Sequence, residues 1–510
     1  MRRPVRFMFA LALALASASL LPSCKGGEPA AAPPLPPGTA AAIGKQKPPA
    51  GLTANAAARV ALAHVTVIDV SSGQAESDRT VVLQGEHIVS VGAGPAAGPL
   101  ARTIDLGGKY VIPGLWDMHV HFATPPFGKL FVANGVTGVR VMWGNPRWDE
   151  PGTERAHFRM RERFDAKSEV GPRMVIASQL LDGPKSIWPT SVVLATPDEG
   201  RKAVDDARKE GVDFIKVYSL LPRDVYMAIA DESKKQGLPV AGHVPEAVSV
   251  GEASDAGQKS IEHLTGMNVA CSSRELELRK RQADFPTKPH SPAERAAFKR
   301  EQTALAIASY DRSHANALFA KFVANGTWQV PTFTVLHALA NFDDPSLVND
   351  PRLRYIPTFI KETWDPKEDF RMMDKKPEDY AQARKDLERA VELVRAMNNA
   401  GVGLLAGTDE PNPYCLAGFS LHDELGWMVK AGLTPLEALR TATTGPAKFL
   451  GMTGKLGAVA KGMGADLVVL DADPRADIAN TRKIVAVVSR GAYYERAQLD
   501  AMLEEAGRAQ

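Results

Sequence analysis

An α/β fold, a (β/α)8 TIM barrel carrying a small β-sandwich domain built from both chain ends, is what this 510-residue sequence predicts. Three observations point there. Short apolar runs of strand length alternate with helical stretches through the middle of the chain, the rhythm of a parallel sheet wound with helices. Strand-rich segments of another texture bracket that middle on both sides. The polar residues with the most chemical capability fall at the ends of the alternating strands, where a barrel gathers its functional groups.

At the N-terminus, Met1-Arg2-Arg3-Pro4-Val5-Arg6 is basic and Phe7 to Leu21 almost wholly apolar, a signal peptide over 1–23 that is too short for a stable spanning helix. Leu21-Pro22-Ser23-Cys24 resembles a bacterial lipoprotein box, with Pro22 where Ala, Ser, Thr or Val is usual, so that Cys24 becomes the lipidated first residue of the mature chain. The competing reading is plain secretion with cleavage near Ala14-Leu15-Ala16-Ser17-Ala18. The expectation is an exported, periplasmic protein held to the membrane by that lipid. Residues 24–58, rich in Ala, Pro and Gly, cannot bury a core and read as a tether. Of the three cysteines, Cys271 and Cys415 lie far apart and are expected as free thiols. Basic side chains (61) nearly balance acidic ones (59), so no electrostatic case exists for a nucleic-acid partner.

Residues 59–112 supply the first part of the sandwich, with strands at Ala63–Asp69, Thr80–Gln84 and His87–Val91 and a hairpin turn at Gly85-Glu86. Residues 451–510 supply the second, with strands at Asp466–Leu470 and Ile484–Val488. Between them, 113–450 is the barrel. Its strands are expected at Val111–His121, Gly135–Met142, Arg173–Leu181, Asp213–Ser219, Leu238–Val244, Ser260–Leu264, Thr327–Val335 and Gly403–Asp409. Thr434-Pro435-Leu436-Glu437 is a capping box with Pro at the first helical position, opening a helix after the eighth strand. The connections Cys271–Gly326 and His337–Ala400 are far longer than normal, charged and partly helical, as lids or walls over the barrel mouth would be.

The first barrel strand ends in His119 and His121, which alternation sends to one face, a geometry suited to two imidazoles on one metal ion. Lys216 sits inside the apolar run Phe214-Ile215-Lys216-Val217-Tyr218 of the fourth strand. The fifth ends Ala241-Gly242-His243, the sixth Ile261-Glu262-His263 and the eighth Ala406-Gly407-Thr408-Asp409. Singly these residues read as core histidines, a helix start, an N-cap and an internal ion-pair partner. Together, all at strand ends, they read as a metal-ligand set.

On these residues the chain resembles the amidohydrolase superfamily, most closely its imidazolonepropionase-like and Xaa-Pro dipeptidase-like branch. The likeness runs from about Ala61 to the C-terminus and rests on five stretches: Pro113-Gly114-Leu115-Trp116-Asp117-Met118-His119-Val120-His121, Lys216, Gly242-His243-Val244-Pro245, Ser260-Ile261-Glu262-His263-Leu264 and Gly407-Thr408-Asp409. Leu433-Thr434-Pro435-Leu436-Glu437-Ala438-Leu439 is also typical. The resemblance implies two divalent metal ions, zinc by ligand type. His119, His121 and Asp409 would hold the first, His243 and His263 the second, and carboxylated Lys216 would bridge them. Burial depresses the pKa of a lysine, so its free amine can attack carbon dioxide. Without carboxylation the site would bind one metal. A metal-bound hydroxide would then attack a carbonyl, with catalytic Asp409 accepting its proton and delivering it to the leaving nitrogen.

The function implied is hydrolysis of a carbon–nitrogen bond in a small-molecule substrate, an amide such as an Xaa-Pro dipeptide or an N-acyl amino acid. A cyclic amide, an imidazolone or a lactone is the alternative within the superfamily. A non-catalytic metal-binding lipoprotein is the alternative from another class; it needs a missing ligand or base, and none is missing. Tyr218 shares a face with Lys216 and is a candidate hydrogen-bond donor to substrate, weighed against a packed aromatic. His422 could face substrate or lie on a helix surface, and Arg140 could bind a carboxylate or complete an internal salt bridge. Trp143, Trp148 and Trp188 could line an apolar pocket or simply pack. No pattern in the sequence sets an oligomeric state.

Overall fold

The computed structural model describes residues 58–508, except 123, 145–154, 189, 286–290, 366–368, 370–371 and 373–374. The expected signal segment, Cys24, nearly all of the tether and Trp148 lie outside the described residues. No helix among the described residues is long and apolar enough to cross a membrane.

The chain opens with strands β1 (Arg59–Ile68), β2 (Ala75–Gln84), β3 (His87–Ala93), β4 (Arg102–Asp105) and β5 (Tyr110–Pro113). The barrel strands follow: β6 (Leu115–Val120), β7 (Val136–Val141), β8 (Arg173–Asp182) with its short partner β9 (Val192–Val193), β10 (Phe214–Val217), β11 (Val240–Gly242), β12 (Gln258–Glu262) and β13 (Trp328–Val330). Strands β14 (Leu467–Leu470), β15 (Ile484–Ser489) and β16 (Ala492–Glu495) return to the first group. The order β16-β15-β14-β5-β1-β2-β3, with β4 also on β1, joins both chain ends in one sheet as expected. The hairpin at Gly85-Glu86 forms, with Gln84 paired to His87.

This sheet is one hydrogen-bonded layer that forks: residues 60–63 of β1 pair with β4 and residues 66–67 with β5. Side-chain alternation then sorts its residues into two cores. Leu467, Val469, Ala486 and Val488 pack with Leu62, Val81 and Val111 in a core of the sheet's own. Val468, Leu470, Val487 and Ile112 join the barrel's core.

The run Val111–His121, expected as one strand, is two. Pro113 has no N–H to extend a ladder. Gly114 N donates to Asp466 O (2.7 Å) and Leu115 N to Gly135 O (3.0 Å), so the chain passes from one sheet to the other within a single residue. The seventh barrel strand also differs from expectation. It stops at Val330, Thr332 adopts φ 51°, and the apolar run continues as the helix Phe333–Ala340. The backbone N–H groups of Phe333 and Thr334 at its first turn donate to the buried Glu424 carboxylate at 3.0 and 2.9 Å.

The eighth barrel position is filled by an extended segment rather than a regular strand. Leu404 bridges Gln329 and Glu410 bridges Val120. Met118 N donates to Ala406 O (2.8 Å) and His121 N to Glu410 O (2.6 Å), which closes the ring onto β6. Gly407 permits this approach: a Cβ there would lie 2.8 Å from His119 Cβ. The capping box at Thr434 and Glu437 opens the helix Pro435–Thr441 as expected. Both long connections are helical and join on one flank, where Arg300 of the first pairs with Asp379 of the second.

Sheet and barrel are tied by charge as well as by apolar contact. Arg173 of β8 reaches Asp466 (2.8 Å) and Glu86 (3.3 Å), and Asp466 also accepts from Arg490 N at 2.8 Å. Arg173→Met strands a buried carboxylate with one partner fewer. The expected cost is about 1–3 kcal/mol of stability, read as a lowered denaturant midpoint at unchanged kcat/KM.

Candidate metal centre

The centre assembles on the carboxylate of Asp409. His119 Nε2 stands 3.1 Å and His121 Nε2 2.8 Å from Asp409 Oδ1, so the two strand-end imidazoles converge as alternation requires. Asp409 N and Thr408 N both donate to His119 O (2.7 and 3.2 Å), which locks the eighth segment onto β6. Asp117 completes the lock. Its carboxylate accepts from Thr408 N (3.0 Å), Thr408 Oγ1 (2.7 Å) and His119 N (3.2 Å). Asp409, His263 and Thr332 all hold φ between 51° and 65°, left-handed backbone that costs a non-glycine residue on the order of 1 kcal/mol and clusters at functional sites.

The other imidazoles are oriented from behind. His119 Nδ1 donates to Glu262 Oε2 at 2.7 Å, which leaves its Nε2 as a lone pair. Thr332 Oγ1 donates to Pro331 O (2.7 Å), so it accepts from His263 Nδ1 (2.7 Å), and His263 Nε2 is likewise a lone pair. His243 Nδ1 meets Ser219 Oγ at 2.8 Å. The rings of His243 and His263 lie 4.9 Å apart, and those of His119 and His263 4.6 Å. The four histidines read from the sequence as ligands are therefore brought to one place.

These donors fit a cation. His119 Nε2 makes no hydrogen bond although Asp409 Oδ1 is 3.1 Å away. A lone pair and a carboxylate oxygen held that close repel unless positive charge lies between them. The ligand atoms of His119, His121 and Asp409 all lie within 4.8 Å of one another. Burial holds His263 down at about 3 and His243 well below the ordinary imidazole value, so both stay neutral, the form that binds metal. Burial alone would raise Asp409, but the imidazoles of His263 and His119 hold it well below the usual carboxylate range.

Lys216 is buried at the same level. Its backbone N donates to Ser178 Oγ (2.9 Å), and its Nζ forms no hydrogen bond or ion pair among the described residues. Burial lowers its pKa to about 8, against the opposing charges of Glu262 and Asp409. Tyr218 lies beside the centre with its ring 4.0 Å from that of His243, and its Oη accepts from Trp188 Nε1 at 2.9 Å.

Two candidates fall elsewhere. Arg140 does not face a substrate. It is 1% exposed, and its guanidinium is spent on Met118 O (2.7 Å), Ser260 Oγ (2.9 Å) and both oxygens of Glu262 (2.9 Å). It is the internal salt bridge of the two readings. His422 is neither at the substrate nor on a surface. It is buried between barrel and sheet, its Nε2 donating to Asn134 O (3.0 Å) and its Nδ1 meeting Thr481 Oγ1 at 2.9 Å. Sequence reasoning passed over Glu262, Asp117 and Thr332. Glu262 and Asp117 lie one and two residues from ligands within the motifs quoted, whereas nothing local marks Thr332. Cys271 and Cys415 are free and buried, as expected.

The model of the amidohydrolase family matches residues 110–492. A dihydroorotase of Trichlorobacter lovleyi is 46% identical over 75 residues, 15% of this chain and 17% of that one. An adenine deaminase of Methanothrix thermoacetophila is 31% identical over 91 residues, 18% and 16% of the two chains. The chain thus spans about a sixth of the length of these curated relatives. Among solved structures, a bottromycin amidohydrolase superposes with a TM-score of 0.68 at 24% identity, over 88% of this chain and 90% of that one. An Xaa-Pro dipeptidase with methionine bound superposes at 0.61 and 21% identity, over 86% and 100%. These superpositions establish the shared fold.

Two predictions follow from the buried groups. Glu262→Gln removes the acceptor that fixes the His119 ring, and the affinity for zinc or cobalt, measured by chelator competition, is expected to fall 10- to 100-fold. His422 is held at about 4 by burial, below its unfolded value of 6.5. The unfolded chain therefore takes up the proton first as pH falls. Stability should drop from about pH 6.5 toward pH 4, by about 3 kcal/mol for this group. His422→Gln should flatten that part of the unfolding free-energy profile.

Proposed function

Since the chain belongs to the amidohydrolase family, we propose that it is a metal-dependent hydrolase of carbon–nitrogen bonds that cleaves amides, with Xaa-Pro dipeptides or N-acyl amino acids as substrates. One observation carries the reading: His119, His121 and Asp409 bring their ligand atoms within 4.8 Å of one another, His119 Nε2 among them without a hydrogen-bond partner, and the buried amine of Lys216 lies beside them. Divalent ions bound there, zinc by ligand type, supply Lewis acidity toward a carbonyl and lower the pKa of water.

The chain's own groups supply the rest. His119, His121 and Asp409 would hold one ion, and His243 and His263 a second. With a pKa of about 8, about a tenth of Lys216 is free amine at neutral pH. That amine adds to carbon dioxide through nitrogen and sheds one proton, giving the anionic carbamate that would join the two ion sites. Asp409 Oδ1 accepts from His121 Nε2 (2.8 Å), so Oδ2 is the oxygen that would take the proton of the attacking water and return it to the leaving nitrogen. Tyr218 lies where its hydroxyl can donate to a substrate carbonyl oxygen.

The likeness to an Xaa-Pro dipeptidase supports the linear amide, and the local match to a dihydroorotase supports a cyclic amide as the second reading. Export and anchoring through a lipid on Cys24 complete the proposal, on the strength of the N-terminal sequence.

The test is a mass-spectrometric screen of the full chain against dipeptides, N-acyl amino acids and cyclic amides, before and after chelation. Amide cleavage that is lost with chelator and restored by zinc is expected. Asp409→Asn should retain the fold by circular dichroism and lose about 10²- to 10⁴-fold in kcat. Near-normal turnover in that variant overturns the assignment.

A further inference from the structure

We propose that the barrel mouth selects substrates bearing an aromatic side group next to the scissile bond, with Trp188, backed by Trp143 and Tyr218, as the recognising surface. The proposal takes its reaction from the amide-hydrolase reading and adds the substrate class.

An unbroken chain of rings runs from one strand-end ligand to another. His121 meets Trp143 edge-on (6.1 Å, 82°), and Trp143 meets Trp188 (5.5 Å, 64°). Trp188 Nε1 donates to Tyr218 Oη (2.9 Å), and Tyr218 lies on His243 (4.0 Å, 32°). A group held between His121 and His243 therefore has its nearest neighbour against these rings. Trp143 is buried behind, while Trp188 and Tyr218 are half-buried. The hydrogen bond between them satisfies the indole tip within the wall, so what faces a ligand is largely apolar.

Trp188 is held rather than draped. Its loop springs from β8 and closes on β9, where Leu181 and Asp182 pair with Val192 and Val193. Asp182, buried at that base, accepts from Leu220 N at 2.7 Å, tying the loop to the end of β10. Gly183 allows the approach, since a Cβ there would lie 1.9 Å from Leu220 O. Within the loop, Ser191 N donates to Trp188 O (3.1 Å) and Ser186 Oγ to Ser191 Oγ (3.0 Å). The same loop and its closing strand leave Ile187 46% and Val193 54% exposed. Packing alone accounts for Trp143. A site for a flat apolar group accounts for an indole fixed in place beside two exposed apolar side chains.

The experiment has two arms on the full chain. In the first, kcat/KM is measured for Phe-Pro and Trp-Pro against Leu-Pro and Ala-Pro, and for N-acetylphenylalanine against N-acetylleucine. In the second, 3-phenylpropanoate and 4-methylpentanoate, which contain no amide, are titrated by quenching of tryptophan fluorescence. The aromatic member is expected to be favoured about tenfold in each arm. Trp188→Leu should bring the ratios close to one, and Trp188→Phe, which loses the indole N–H but keeps a ring, should retain most of the preference. Ratios near one in the wild-type protein, or a preference that Trp188→Leu leaves intact, overturn the proposal. Cleavage of amides without aromatic preference sinks this inference and leaves the hydrolase reading standing. Trp188-dependent preference for 3-phenylpropanoate without cleavage of any amide does the reverse.

Discussion

Beneath the strand ends lies one buried ion pair on which their arrangement depends. Arg140 and Glu262 are both withdrawn from water. Isolating either charge there would cost several kcal/mol, so the pair exists only where its hydrogen bonds are complete. Completing them takes three strands: Arg140 comes from β7, Met118 O from β6, and Ser260 and Glu262 from β12. Satisfying one guanidinium thus fixes the mutual register of the strands that carry His119 and His263. A hydrophobic replacement of similar volume could hold a barrel together as well, but it would leave the His119 ring free to turn. The pair serves the ligand geometry more than the stability of the fold.

The sheet formed by the chain ends constrains the same strand from its other side. Because β5 passes into β6 across Gly114 alone, a shift of the sheet against the barrel would be felt directly at the start of the strand that ends in His119 and His121. Three links oppose such a shift. The alternate residues of β14 and β15 give one face to the barrel core, Arg173 joins β8 to Asp466, and His422 spans from Asn134 O to Thr481. The histidine that the sequence left between substrate and a helix surface is thus part of the joint that steadies the barrel from outside.

Much of this was legible in the sequence, and the parts that were not share a cause. Alternation and strand-end position named His119, His121, His243, His263, Lys216 and Asp409 as one set, and the fold brings them together, although His263 and Asp409 stand in left-handed backbone just past regular strand. The joining of both chain ends in one sheet followed from their common texture. Period-based reading failed where the chain changes partners without changing composition. The apolar run through Pro113 and Gly114 belongs to two sheets, and the run through Pro331 and Phe333 turns from strand to helix because Glu424, about ninety residues away, offers a carboxylate to its first-turn amides. Arg140 was left between two readings and His422 was given neither of its actual surroundings for the same reason: their partners are distant, and local sequence shows a charge or an imidazole but not what faces it. Thr332 carries no signal at all until the fold sets it against His263.

The acids around the centre show what such facing does. Asp409 and Glu410 are neighbours in sequence, both withdrawn from water, yet their carboxyls are driven in opposite directions. Asp409 is surrounded by imidazoles and held well below the ordinary range. Glu410 finds no hydrogen-bond partner for either side-chain oxygen among the described residues, and burial together with the nearby Asp117 and Asp409 pushes it well above. Burial raises Asp117 to about 7 and Glu424 to about 8. The result is a ring of carboxyls inclined to stay neutral around two that stay charged, Glu262 against Arg140 and Asp409 against the histidines. Charge is thereby concentrated where it can meet a cation and withheld where it would only repel its neighbours. Lys216 belongs to the same arrangement: burial lowers its pKa to about 8, and the two charged acids that oppose the shift, Glu262 and Asp409, are turned toward Arg140 and the histidines.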